Sequence, residues 1–188
     1  MDDEIRDGFK FRGGSLPLDF AATLAARLRA EPRELLAEPA DLARWLVAAR
    51  LASSRLKVTA SELQRARELR EAIYRLALAR ADGDALHDSD RALLNRAAAG
   101  KTPAPRLERH GVTWEHAEVS SLLTVIAREA IALLGGELAD RIRQCSGDGC
   151  ALLFVDTSRS GHRKWCSMAG CGNKAKVASF RDRARRAD

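Results

Sequence analysis

Between residues 18 and 30, Phe20, Leu24 and Leu28 recur every four positions among Ala21, Ala22, Ala25 and Ala26, the spacing of one apolar helix face. Pro32 sets its end. A second helix is predicted from Pro39 and Asp41 through Leu42, Trp45, Leu46 and Ala49 to about Ser53, with proline in its first turn. Thr59 and Glu62 make a capping box for a third, in which Leu63, Leu69, Ile73, Leu76 and Ala77 follow at helical spacing. It runs to about Arg80 and stops at Asp82-Gly83-Asp84. Residues 88–99 (DSDRALLNRAAA) read as a shorter helix with Asp or Ser caps and a stop at Gly100. Pro103 and Pro105 then break the pattern, and two short extended pieces, 106–109 and 112–115, flank Gly111 as a small β-hairpin. Residues 122–134 (LLTVIAREAIALL) are apolar on most sides, which predicts a buried helix that organises the core, closed by Gly135-Gly136.

From about Arg141 the pattern changes. Residues 151–155 (ALLFV) form a short apolar strand after Cys150, and 156–162 (DTSRSGH) a polar turn. Residues 171–186 favour helix, with Val177, Phe180 and Ala184 expected as an apolar stripe against the rest of the module. The fold class is therefore mainly α: an N-terminal helical domain with a small β-hairpin over 1–140, then a small four-cysteine module of knuckle, strand and helix over 141–188. Apolar content of 46% with 31% charged residues is that of a folded globular chain rather than a disordered one. No apolar run approaches the roughly 18 residues of a membrane span, and residues 1–20 have neither a basic n-region nor an apolar h-region. A cytoplasmic protein without membrane contact is expected.

Charge separates the two parts. Residues 1–140 hold 21 Lys+Arg against 22 Asp+Glu, a formal charge of −1; residues 141–188 hold 11 against 4, a formal charge of +7. The last quarter of the chain would therefore attract an anionic partner. In the same quarter stand all four cysteines: Cys145, four residues, Cys150, fifteen residues, Cys166, four residues, Cys171. In a reducing compartment such clustering points to metal rather than to two disulfides. Each pair can converge on one ion from a single loop, with Gly147, Gly149 and Gly170 allowing the chain to curl around it. Zn²⁺ in a closed, structural four-thiolate tetrahedron is the reading this spacing favours. Iron in the same tetrahedron, or an iron–sulfur cluster, would use the same ligands, and His162 is a weaker substitute ligand. Free thiols without metal would leave a basic, Gly-rich module of under 50 residues with little to fold on.

The stretch Cys166-Ser-Met-Ala-Gly-Cys171-Gly-Asn-Lys174, preceded by Phe154-Val-Asp-Thr-Ser-Arg159 and by Lys164-Trp165, resembles the bacterial CGNR zinc-finger family. The name-giving motif stands here as Cys171-Gly172-Asn173-Lys174, with Lys in the usual place of Arg. Residues 13–24 (GGSLPLDFAATL) are similar to the opening of the ABATE-type helical domain that accompanies this finger, with Ala22 where Asn is common. Members are regarded as stress-induced transcription regulators. The resemblance implies DNA binding by the finger, and signal reception or assembly by the helical domain. Lys174 keeps the charge of the family's Arg but lacks its two-pronged guanidinium.

The residues themselves point the same way. Arg159, Arg163 and Lys164 lie on the loop into the second cysteine pair. Lys174, Arg181 and Arg185 are spaced 7 and 4 apart on the last helix and form one stripe. Such a helix could lie in or across a groove of double-stranded DNA, mostly on phosphates, with readout by Lys174, Lys176 or Arg181. The bland reading of a basic helix end is a solvated terminus that complements the helix dipole. Trp165 and Phe154 are expected as core of the finger. A homodimer on symmetric half-sites would remedy a small finger's few base contacts. A protein- or RNA-binding adaptor stapled by zinc is the alternative, since the same field suits RNA and acidic proteins. An enzyme is not expected: His87, His110, His116 and His162 fall in no catalytic pattern. Asp19, early in the first helix beside the Gly13-Gly14 turn, is the acidic residue that would receive a small-molecule effector between helices. Its plainer role is a charge near a helix N-terminus.

Overall fold

The computed structural model describes residues 5–109, 111–115 and 117–185. A two-residue hairpin, β1 (Ile5–Arg6) and β2 (Phe9–Lys10), precedes the first helix, α1 (Leu16–Ala21). The helix predicted to run to residue 30 ends here. Thr23 donates its hydroxyl to the carbonyl of Phe20 at 2.7 Å, and Ala26 adopts a left-handed φ of 56°. The chain then forms a second small hairpin, β3 (Leu24–Ala25) with β4 (Arg33–Glu34), and Leu28 is exposed. Ion pairs to the third helix outweigh the alanine-rich helical signal. Arg27 makes a bidentate pair with Glu71 (2.6 and 3.0 Å), and the buried Arg70 makes one with Glu34 (2.6 and 2.7 Å).

Helix α2 (Pro39–Ala48) begins in a reciprocal cap between Glu38 and Asp41. It stops short of the expected Ser53 because Arg50 turns left-handed at φ 62°. There the N–H of Arg50 bonds the carbonyl of Val47 and that of Leu51 the carbonyl of Leu46, a closed helix end. Helix α3 (Ala60–Asp82) has the predicted capping box, Thr59 N–H to Glu62 at 2.8 Å and Glu62 N–H to the Thr59 hydroxyl at 3.3 Å. Gly83 at φ 76° ends it. Helix α4 (Asp88–Ala98), the hairpin of β5 (Ala104–Glu108) and β6 (Gly111–Glu115), and helix α5 (Val119–Gly135) follow as expected. His110 and His116 lie outside the described residues. Trp45, Phe20, Leu18, Leu42, Ile73, Leu76, Leu122 and Ile126 fill the centre, from α1, α2, α3 and α5.

Strand β7 (Ile142–Gln144) pairs antiparallel with β8 (Leu153–Val155), Arg143 opposite Phe154. Alternation along this ribbon splits its side chains between two cores. Ile142, Leu153 and Val155 join the helical core, while Phe154 joins Cys145 and Cys166 on the other side. The ribbon is also bonded to the helices: Val155 N–H reaches the carbonyl of Gly13 at 2.9 Å and Gln144 the hydroxyl of Tyr74 at 3.2 Å. Gly13 is needed there, because a Cβ would stand 2.6 Å from Leu18 Cβ.

The last helix, α6 (Asn173–Arg185), follows a wide turn over Met168–Gly172. Its expected stripe does not pack on the module. Val177 and Phe180 are 49% and 68% exposed, since the ribbon's apolar side chains are taken up by the helical core on one face and the cysteine cluster on the other. Ala184 is outside the side chains described, and Arg186 outside the described residues. Among the described residues, no helix is long and apolar enough to cross a membrane.

Candidate metal centre and its basic surroundings

Four sulfur atoms converge between the ribbon and α6. The Sγ atoms of Cys145, Cys150, Cys166 and Cys171 all lie within 4.8 Å of one another, with Cys150 to Cys166 at 3.9 Å and Cys166 to Cys171 at 3.8 Å. Sulfurs at the corners of a zinc tetrahedron, with Zn–S near 2.3 Å, stand about 3.8 Å apart, whereas a disulfide needs about 2.05 Å. Donor type, number and spacing therefore fit one Zn²⁺ with no position open to water. The ion would tie the knuckle to the turn before α6. His162 is exposed and outside this cluster.

Local sequence shapes the cluster. The N–H groups of Gly147 and Cys166 donate to Cys145 Sγ at 3.4 and 3.3 Å, bonds that favour a thiolate. Gly149 supplies the left-handed turn at φ 66°. Gly147 serves instead by close approach, since a Cβ there would meet Cys171 at 2.8 Å. Gly170 is not left-handed either; its N–H bonds the Ser167 hydroxyl, and Gly172 leaves room for Met168 Sδ at 2.8 Å from a virtual Cβ. Without metal the thiols do not ionise together. Hydrogen bonds from Cys150 and then Cys166 draw Cys145 down to about 2, its bond to Cys145 drives Cys166 upward, and burial, then Cys150, pushes Cys171 up to about 11. A divalent cation relieves that repulsion, and its binding releases protons.

Asp156 organises the loop between the two cysteine pairs. Its buried carboxylate accepts the N–H groups of Ser158 and Arg163, each at 2.9 Å, and Ser158 foremost lowers it to about 2. Arg163, expected to face DNA, is turned inward: its guanidinium sits 4.6 Å over the Phe154 ring and donates to the carbonyls of Trp165 (2.8 Å) and Cys166. Trp165 is half-buried against the same cluster and Phe154 is fully buried, as expected for finger core.

Arg159, Lys164, Lys174, Lys176 and Arg181 are exposed. Arg185 ends α6, and its side chain lies outside those described. Asp19 is half-buried at the start of α1. Its carboxylate accepts the N–H of Gly13 at 2.7 Å and so holds the turn that clamps Val155. Beside α6 runs a groove of about 1070 Å³, whose far wall is the first domain: Lys10, Arg29 and Arg33 face Lys174 across it. Those three cations were hidden from the sequence by the near-neutral sum of residues 1–140.

Comparison with known families places the chain. Residues 14–137 match the ABATE family, described as "Putative stress-induced transcription regulator", and residues 141–184 match the CGNR zinc finger. No curated protein gives a significant match. The helical match covers the greater part of the 188 residues and the finger match contains all four cysteines. The chain thus belongs to the ABATE family and carries a C-terminal CGNR zinc finger.

Proposed function

We propose that the protein is a DNA-binding transcription regulator in which the zinc finger presents α6 to duplex DNA. The observation that carries the reading is an exposed basic helix whose start is fixed by the cysteine cluster. Lys174 and Arg181, seven residues apart, fall on one side of α6, and Arg159 and Lys164 stand on the loop that enters the cluster. Zinc supplies the rigidity, since a helix with so little apolar packing would not hold its direction otherwise. Phosphate contacts dominate, and Lys174 offers a point charge rather than a bidentate fork. The helical domain receives the signal or a small-molecule effector and supports dimerisation, and the reading assigns no catalytic step. Its setting is the cytoplasm.

The exposed Val177 and Phe180 favour a second reading, an adaptor that binds protein or RNA. Replacing Lys174 and Arg181 with Glu separates the two. The variant should keep its zinc and its melting temperature and lose duplex binding by tenfold or more. Undiminished duplex affinity would remove α6 from the interface.

A further inference from the structure

The groove beside α6 is bounded by both parts of the chain. Lys174, Ala175 and Ala178 form one side, the zinc knuckle the floor, and the segment between β3 and β4 the other side, with Lys10 of β2 adjoining. We propose that this groove seats one sugar–phosphate strand of duplex DNA, so that Lys10, Arg29 and Arg33 share the phosphate contacts with Lys174. The inference rests on the duplex-binding reading and adds a set of contacts from the helical domain.

Charge placement supports it. Arg27, Arg44, Arg67, Arg70 and Arg75 are each paired with a carboxylate. Among the described residues, no such pair is made by Lys10, Arg29, Arg33 or Lys174, and all four are exposed. Two carboxylates, Glu31 and Asp148, also line the groove. The zinc tetrathiolate adds about −2 at one end, where Cys150 and Cys171 line the groove and Cys145 and Cys166 are buried beneath, whereas the cations reach solvent. Arg29 lies against the knuckle, where a Cβ on Gly149 would come within 2.6 Å of its Nε.

Length selects the ligand. The groove follows the chain from Cys171 to Ser179, about 12 Å at helical rise, which spans roughly three to four nucleotides at about 3.4 Å per nucleotide of one strand. A lone small anion would leave most of it empty. Cations on both walls hold a strand from two sides, which one helix on a flat surface does not.

The test is the salt dependence of binding to a random duplex by the full-length zinc-loaded protein, between about 50 and 200 mM salt. Arg29→Ala with Arg33→Ala should make the slope of log K against log salt shallower by about 1.8, or about 0.9 per lost phosphate contact. Zinc content should be unchanged. Lys10→Ala, on β2 and apart from the Gly149 contact, should lower the slope by about 0.9 by itself. Duplex binding with an unchanged slope in these variants would overturn the groove and leave the regulator reading intact. Failure of the unaltered protein to bind duplex would remove both, and tighter binding to single-stranded RNA at the same salt would overturn the assignment of a duplex.

Discussion

Two aspartates that lie within the joint between helices and finger respond to pH in opposite directions. Burial pushes Asp19 up to about 6 from 3.8, against the opposing pull of the Gly13 N–H, so its ionised form costs the folded state stability. Below 3.8 the group is protonated in both folded and unfolded chains. As pH rises from there through 6, the unfolded chain ionises first and stability falls. Asn at this position cannot titrate and can still accept the Gly13 N–H. Chemical denaturation across pH 4–7 should therefore find the wild type gaining on Asp19→Asn as the pH falls; a constant difference would mean that Asp19 is not shielded. Asp156, lowered to about 2, contributes stability above 3.8 that is lost only as pH falls from 3.8 through 2. Of the two, Asp19 could be singled out from its place beside Gly13-Gly14. Asp156 could not, because its partners are backbone N–H groups, and those carry no residue signature.

At the level of elements, the ribbon of β7 and β8 matters most. Its alternation gives Ile142, Leu153 and Val155 to the helical core and Phe154 to the zinc cluster, so loosening the finger disturbs both. Cys166→Ser removes one zinc ligand, a sulfur 3.9 Å from that of Cys150 and 3.8 Å from that of Cys171. It should release the ion and melt the finger, since structural zinc of this kind is worth on the order of 10 kcal/mol. The helical domain should then melt at a lower temperature as well. Zinc analysis with thermal circular dichroism checks this; an unchanged helical transition would show the ribbon to be held by the helices alone. Helices with caps or strong apolar faces were legible in the sequence: α3 by Thr59 and Glu62, α5 by its continuous apolar run. The overlong first helix was not, because its alanines suit a helix while Arg27 and Glu34 are recruited by Glu71 and Arg70, some 36 to 44 positions away. Pairing over that distance leaves no periodic trace.

For the whole molecule, the cysteine spacing carried the site, because four ligands in two short loops can meet at one ion almost regardless of the rest of the fold. The surface around it did not follow from local composition. Arg163, counted as a DNA contact, stacks on Phe154 instead. Lys10, Arg29 and Arg33, in a part of the chain with a formal charge of −1, stand across from Lys174. Net charge over a segment averages away such placement, and only the fold brings it back. Exposed Val177 and Phe180 add an apolar side to α6.

In the proposed function, zinc, finger and basic groove together form one duplex-binding surface. Fluorescence anisotropy of the zinc-loaded protein with a random duplex and with single-stranded RNA, at low and at physiological salt, tests it most directly. Binding to the duplex should weaken steeply with salt and exceed binding to RNA; an absence of duplex binding at low salt would rule this surface out.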